Sequence, residues 1–246
     1  MYRTVTFLFL LTLIPLFSPA QDCSRQQERG LALLAAADYV AANDTLRGAY
    51  RCWGRYHHPK GRALIPALVR TRLAAAAQFR QRADEKQWVR YTTLAAAIAS
   101  RDSLPQALDI LEGALRNSDT LRLASRLKLR TDYAFRLKQA SRFYLAKEQY
   151  ERARQLALRS QHPAGRFYPY ILHPLAYIYT RLGEDKTARI LLEDCLQHYR
   201  DTLAKLGIQY RDAPSRQAAL LRYLRRTAYI HLELGNAAQD EGRLAA

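Results

Sequence analysis

A set of six offsets recurs along this sequence and restricts its fold more than any other feature. In its clearest copy, an adjacent apolar pair is followed by small or apolar residues on both sides of Gly183: Leu175, Ala176, Tyr179, Ala188, Leu192 and Cys195. Helical spacing places these residues on one face of each of two helices. Glycine can end the first helix in the left-handed conformation. The pattern therefore predicts a helix pair with small residues where the helices touch.

The same offsets occur twice more. The first copy has Leu94, Ala95, Ile98, Ala107, Leu111 and Ala114, and the second has Ala140, Ser141, Tyr144, Ala153, Ala157 and Ser160. The alanines that open the second helix of each pair are then Ala107, Ala153 and Ala188, which are 46 and 35 residues apart. Repeated helix pairs bury their apolar faces against their neighbours. The alternative is an irregular helical bundle with a chance spacing.

These residues resemble the tetratricopeptide repeat (TPR) family, whose period is about 34 residues. The resemblance implies an all-α, right-handed α-solenoid of antiparallel helix pairs. We predict repeats at about 88–121, 134–167 and 169–202, and the 46-residue step predicts a lengthened helix or an extra turn between the first two. A degenerate helical region over 21–87, holding one or two decayed repeats, and capping helices over 203–246 complete the prediction.

Residues 1–20 have the pattern of a secretory signal peptide. Arg3 gives a positive start, an apolar run covers residues 7–17, and Ser18 and Ala20 supply a small-residue cleavage site. This run is well short of the roughly 20 residues that span a bilayer. Cleavage after Ala20 is predicted, and the protein is expected to be exported, either periplasmic or secreted. An uncleaved membrane anchor is the alternative.

The sequence contains three cysteines, Cys23, Cys52 and Cys195. Export permits a disulfide. Cys23 and Cys52 are the more plausible pair because both lie in the N-terminal region, but spacing alone leaves the bond open. Cys195 falls on the apolar face of its predicted helix, where it is expected to be a small buried hydrophobe.

No motif for catalysis or metal binding stands out. Only Cys52, His57 and His58 place several possible metal ligands close together. A structural zinc site needs four ligands, and Cys23 would have to supply the fourth, so a turn leading to Pro59 is the ordinary explanation. No Gly-rich phosphate loop and no nucleophile elbow is present. We therefore predict a protein that is not an enzyme and has no metal or cofactor.

The chain is strongly basic, with 39 Lys and Arg against 22 Asp and Glu. Export makes anionic lipids, acidic glycans or acidic proteins better candidate partners than nucleic acid, and compositional drift toward Arg is the alternative. Arg122, Arg126 and Arg130 are spaced four apart and form a predicted basic stripe. Such spacing is mildly repulsive in a helix. An anionic lipid or glycan, or acids on a neighbouring helix, would explain their retention.

The resemblance implies that the first helix of each repeat lines a concave groove that binds peptides. Carried over position by position, the groove residues are Val89, Thr92, Ala96, Ala99 and Ser100, then Phe135, Lys138, Arg142, Leu145 and Ala146, then Tyr170, His173, Tyr177, Thr180 and Arg181. The predicted partner-binding residues are Lys138, Arg142, Tyr170, His173, Tyr177 and Arg181. Basic and aromatic groups suit an acidic peptide or a C-terminal carboxylate. The alternative is a set of solvated residues on an unused face.

The sequence therefore predicts an exported, non-enzymatic adaptor or scaffold that binds a protein or acidic peptide through a basic, aromatic groove. The alternatives are an envelope protein that binds a polyanion, such as anionic lipid, glycan or nucleic acid, and the sensing module of a signalling system with a separate partner chain. Salt dependence separates the first two functions, because binding of a polyanion weakens steeply with salt.

Overall fold

The computed structural model describes residues 19–159, 168–209 and 235, and the chain divides into two compact units, 1–72 and 73–246. The regular structure of these described ranges is entirely helical. The α-helices are α1 (Pro19–Ala35), α2 (Tyr39–Cys52), α3 (Pro59–Ala63), α4 (Ile65–Gln81), α5 (Glu85–Ala99), α6 (Leu104–Arg116), α7 (Leu123–Gln139), α8 (Phe143–Arg159), α9 (Tyr168–Arg181) and α10 (Asp185–Gln209). The predicted signal peptide up to residue 18 lies outside these residues. So do the predicted capping helices beyond 209, residue 235 excepted.

Short polar side chains fix the starts of several helices. The carboxylate of Asp38 accepts a hydrogen bond from the backbone N–H of Ala41 at 3.2 Å, and Asp84 caps α5 in the same way. Ser103 accepts from the N–H of Gln106 at the start of α6. These caps satisfy donors that have no partner within the helix. Among the described helices, none is both long and apolar enough to cross a membrane.

Four of the turns between helices share one backbone conformation. In each, a left-handed residue follows the helix, and the next N–H donates to the carbonyl five residues earlier, as Glu184 does to Tyr179 at 2.9 Å. This is the Schellman arrangement, which satisfies carbonyl groups at the helix end. The left-handed residues have φ between 56° and 76°, and they are Ala37, Ala83, Ser141 and Gly183. The predicted left-handed conformation of Gly183 is therefore confirmed.

In the second unit, the described residues after α4 form three helix pairs, α5 with α6, α7 with α8, and α9 with α10. Consecutive helices pack against each other, and the first helices of successive pairs also touch, α5 with α7 and α7 with α9. One apolar core runs from Leu108 in α6 to Tyr199 in α10. The predicted all-α class and α-solenoid of antiparallel helix pairs are confirmed.

The predicted register of the middle pair is wrong by seven residues. The structure places the six positions at Tyr133, Ala134, Leu137, Ala146, Tyr150 and Ala153. Ala140 and Ser141 instead lie in the turn after α7, and the side chain of Tyr144 is 77% exposed. Seven residues are close to two helical turns, so both registers follow one helix face and share Ala153. Ser160, the last position of the predicted copy, lies outside the described residues.

In the corrected register, the alanines that open the second helices are Ala107, Ala146 and Ala188, each fully buried. Their spacings of 39 and 42 residues are more even than the predicted 46 and 35. The sequence predicted extra length between the first two pairs. In the structure, this length comes from a connection over residues 117–122 and from a longer first helix, since α7 has 17 residues and α5 has 15.

In the first unit, α1 and α2 form a fourth copy of the pattern. Gly30, Ala42, Leu46 and Ala49 are buried and have the same offsets as Ala95, Ala107, Leu111 and Ala114. A β-carbon on Gly30 would lie 2.7 Å from Cγ of Leu46, so glycine permits the close approach of the two helices. The sequence predicted only that decayed repeats lie within 21–87.

A disulfide between Cys23 and Cys52 joins the start of α1 to the end of α2, with their Cα atoms 5.5 Å apart. Cys52 is therefore not available as a metal ligand beside His57 and His58. Within the described ranges, no group of three or more His, Cys, Asp or Glu side chains could hold a metal ion. Cys195 is fully buried in the second unit, as its apolar position predicted.

Candidate functional site

Two exposed aromatic rings occupy equivalent positions on the first helices α7 and α9. Phe135 follows the packing residue Ala134, and Tyr177 follows Ala176 in the same way. Nζ of Lys138 lies 5.3 Å from the ring centroid of Phe135 and 4.8 Å from that of Tyr177. Both distances are within the range of cation–π attraction. Lys138 therefore connects the corresponding positions of two successive repeats.

A second contact between a cation and an aromatic ring joins the end of α9 to the start of α8. The guanidinium carbon of Arg181, at the end of α9, is 5.8 Å from the ring centroid of Phe143, the first residue of α8. Arg142 precedes Phe143 and is exposed, and its carbonyl accepts the first backbone hydrogen bond of α8, from Ala146 at 3.0 Å. We call the combined set the aromatic–basic face: Phe135, Lys138, Arg142, Phe143, Tyr177 and Arg181.

The aromatic–basic face exposes large apolar groups. The side chains of Phe135 and Tyr177 are 37% and 41% exposed, and Leu145, one turn into α8, is 48% exposed. Aromatic rings offer large contact areas with little loss of side-chain freedom. Tyr170 is also exposed, while His173 is partly buried, and their spacings of seven and four from Tyr177 place all three along one side of α9. This arrangement provides rigid contact area beside three cations.

The groove residues predicted for the first repeat are placed differently. Val89, Thr92, Ala96 and Ala99 are all buried, and Ser100 is partly buried. Helix α5 packs against α6 and α7, and its Tyr91 also stacks on Phe79 of α4, so short side chains on it are covered. Ala146, assigned to the groove of the second repeat, is a fully buried packing residue. The exposed face therefore lies on α7 and α9, together with the start of α8.

The three arginines of the predicted basic stripe have different surroundings. The backbone N–H of Arg122 donates to Oε1 of Glu85 at 3.1 Å, and Arg126 lies 4.0 Å from Asp119 in the preceding connection. Arg130 donates to Oε1 of Gln149 on α8 at 2.7 Å. On the neighbouring helix, Arg130 thus donates to a neutral amide, whereas pairing with a carboxylate was one of the two expectations.

Burial lowers the pKa of Arg130, and the nearby guanidinium groups of Arg152 and Arg126 lower it further. A lowered pKa means that the folded protein holds this charge at a cost. The predicted stripe is therefore not a uniformly solvated row of charges, because Arg130 packs against α8 and is repelled by Arg126 of the stripe and by Arg152 of α8.

A polar network joins α8 to the end of α9. The hydroxyl of Tyr179 donates to Oε1 of Glu151 at 2.8 Å, and Nζ of Lys147 contacts Oε1 of Glu184 at 2.6 Å. The same ammonium lies 4.4 Å from the ring centroid of Tyr179. Burial and the hydrogen bond to Glu151 raise the pKa of Tyr179 above its ordinary value of 10.0. Burial also raises the pKa of Tyr150, a buried tyrosine on α8.

These tyrosines predict a loss of stability in alkali. In the unfolded chain they release protons near pH 10, whereas in the folded protein they remain neutral to higher pH. Each should lower the free energy of unfolding by up to about 1.4 kcal/mol per pH unit above that value. Urea denaturation between about pH 8 and 11 would measure how the free energy of unfolding changes with pH. Tyr179→Phe should reduce the slope. Equal slopes in the two proteins would contradict the assignment.

These helix pairs define an all-α helical-repeat protein. No family model matches the sequence, and no curated protein does. Among solved structures, the chain is similar to the apo form of the quorum sensor NprR from B. thuringiensis, with 14% identity and a TM-score of 0.48 over 92% of this chain and 73% of that one. It is also similar to BtubC (BKLC) from P. vanneervenii, with 14% identity and a TM-score of 0.34 over 91% and 77%.

Proposed function

We propose that the second unit is a protein-interaction module, and that its aromatic–basic face binds an acidic peptide segment of a partner protein. The observation that carries the proposal is the position of Lys138 between Phe135 and Tyr177. Successive first helices touch, so equivalent residues on them form a continuous strip that an extended peptide can follow. Repeat proteins commonly use such extended surfaces for binding.

Charge indicates the chemistry of the occupant. Lys138, Arg142 and Arg181 are cations on this face. In the adjoining contact, Glu151 accepts from Tyr179 and Glu184 pairs with Lys147. Carboxylates of a partner would pair with the three cations, and apolar side chains between the carboxylates would cover the exposed rings. An acidic segment with interspersed apolar residues fits both features.

Panning the full-length protein against a displayed random-peptide library tests the proposal. Acidic sequences with apolar residues should be enriched, and Lys138→Glu with Arg142→Glu should weaken binding of a selected peptide at least about tenfold, which corresponds to about 1.4 kcal/mol. The charge-reversed groups would then repel the peptide. Lys86→Glu with Arg90→Glu is the matched control, because both residues are exposed on α5, have the same spacing and give the same change in charge.

Three results would count against a peptide site. Enrichment of neutral peptides would remove the role of charge, and equal losses in the two double variants would indicate a general effect of net charge. A fall in affinity of about 10³-fold or more between 50 and 200 mM salt would favour the alternative function, binding of a polyanion. Binding of one short peptide should change far less over the same range.

We further propose that the protein acts outside the cytoplasm. The disulfide between Cys23 and Cys52 supports this location, because such bonds persist in oxidising compartments. N-terminal sequencing of the protein from its native source should then begin at Gln21, directly after the predicted cleavage site. A native chain that begins at Met1 would contradict export by this route.

A further inference from the structure

Three arginine side chains meet where α7 packs against α8. The hydrogen bond from Arg130 to Gln149 marks how these two antiparallel helices are aligned. Arg126 lies one turn before Arg130 on α7, and Arg152 lies one turn after Gln149 on α8. Because the helices run in opposite directions, Arg126 and Arg152 lie on the same side of this hydrogen bond. We call Arg126, Arg130 and Arg152 the arginine cluster.

The arginine cluster is accessible from solvent. The side chain of Arg152 is 57% exposed and that of Arg126 is 29% exposed, while Arg130 is partly buried. The Nε atoms of Arg126 and Arg130 are buried. Nη2 of Arg126 and of Arg152 instead lie beside carboxylates of the exposed residues Asp119 and Glu148. A ligand would therefore contact terminal nitrogen atoms at the surface.

The arginine cluster holds more positive charge than its surroundings balance. Arg152 pairs with Glu148 and Arg126 lies 4.0 Å from Asp119, whereas Arg130 donates to a neutral amide. These arginines and carboxylates are the charged groups that act on Arg130, so three positive and two negative charges leave one positive charge. Burial lowers the pKa of Arg130, and repulsion by the other two arginines outweighs the attraction of the two carboxylates.

Two further cations of α7 do not belong to this cluster. Lys128 is paired with Asp132 at 2.5 Å, so that pair adds no net charge. Arg122 lies one turn closer to the start of α7, where its backbone N–H donates to Glu85. The charges that act on Arg130 do not include these four groups. An incoming anion therefore meets a local excess of one positive charge.

We infer that the arginine cluster binds the sulfate ester group of a sulfated sugar. A sulfate ester carries one negative charge, which matches the single unbalanced positive charge. Its three terminal oxygen atoms can each accept from a different guanidinium group, whereas a carboxylate or a phosphodiester offers only two. A phosphate monoester, with a charge of about −1.5 to −2 at neutral pH, would be repelled more strongly by Glu148 and Asp119. The site shares no residue with the aromatic–basic face, so it is independent of the proposed peptide site.

NMR titration of the isotope-labelled full-length protein tests this inference through the signals of the arginine Nε–H groups. Methyl sulfate is the probe, and dimethyl phosphate, acetate and inorganic phosphate are the comparison anions, all at constant ionic strength. Arg126→Gln, Arg130→Gln and Arg152→Gln each remove one signal and so assign the three. Methyl sulfate should shift them saturably and bind at least about threefold more tightly than each comparison anion. Glucose with one sulfate ester should bind at least as tightly as methyl sulfate.

Matched arginine variants separate the cluster from the net charge of the protein. Arg152→Gln should weaken binding of methyl sulfate at least about tenfold, because it removes an exposed cation of the cluster. Arg189→Gln is the control, since Arg189 is also an exposed arginine that lies 4.0 Å from a glutamate one turn away, and its affinity should be unchanged. Without ligand, the urea midpoint of Arg152→Gln should not fall, because the substitution also removes a repulsion on Arg130.

Four results would overturn the inference. The first is the lack of a saturable shift up to about 100 mM methyl sulfate. The second is equal weakening in Arg152→Gln and Arg189→Gln, which would indicate an effect of net charge alone. The third is binding of a comparison anion as tightly as methyl sulfate, or weaker binding of the sulfated sugar. The fourth is a lower urea midpoint in Arg152→Gln, which would show that Arg152 serves stability instead.

Discussion

Replacing Tyr150 by alanine should lower the free energy of unfolding of the second unit by about 3–5 kcal/mol. Its side chain is 1% exposed and packs in the core formed by α6 to α10. Truncating a large buried aromatic ring removes its apolar contacts and leaves a cavity that the surrounding helices only partly fill. Urea denaturation monitored by circular dichroism would measure the change.

Tyr144 provides the matched control, because it is the same residue type on the same helix. Its side chain is 77% exposed, so Tyr144→Ala should change the free energy of unfolding by less than about 0.5 kcal/mol. The comparison also separates the two registers of the middle repeat. If Tyr144→Ala were the costly substitution, the register predicted from the sequence would be correct and the structural one would be wrong.

Removing the disulfide by Cys23→Ala with Cys52→Ala should destabilise the first unit by about 3–4 kcal/mol. The cysteines are 29 residues apart, and closing a loop of that length removes about this much free energy of chain entropy from the unfolded state. Because both cysteines lie in the first unit, proteolytic cleavage should appear first in α1 and α2. Mass spectrometry of a limited digest would locate the cuts.

Cys195→Ala serves as the control for removal of a cysteine. That residue is buried in the second unit, so its replacement should not increase cleavage within α1 and α2. Equal resistance of α1 and α2 in the oxidised protein and in the double variant would show that the bond contributes little. Reduction of the unmodified protein should reproduce the behaviour of the double variant.

The repeat pattern was predictable where one residue type determines the backbone. Gly183 and the alanines around it identified the α9–α10 pair from the sequence alone. In the middle pair the left-handed residue is Ser141, and Ala153 fits two registers, so no residue type distinguishes the two registers from sequence alone. The α1–α2 pair was missed because its packing residue is Gly30, preceded by Arg29 where the other copies have an apolar or small residue.

The exposed face could be predicted only in part. Helical spacing placed His173, Tyr177 and Arg181 together, because that grouping depends on one helix. The contact of Lys138 with Tyr177 depends on how α7 packs against α9, and such packing cannot be derived from spacing along one helix. Phe143 was missed because the shifted register put residues 140–144 in the first helix of the repeat.

The left-handed turns have a consequence for dissecting this protein into fragments. Three of the four are made by Ala37, Ala83 and Ser141, whose β-carbons disfavour that conformation by about 1–2 kcal/mol each. The residue at each left-handed position does not itself favour that conformation, so contacts with the packed helices on either side must help to maintain it. A synthetic peptide of α7 and α8 alone lacks the neighbouring pairs, and it would therefore be a poor stand-in for the intact repeat in binding studies.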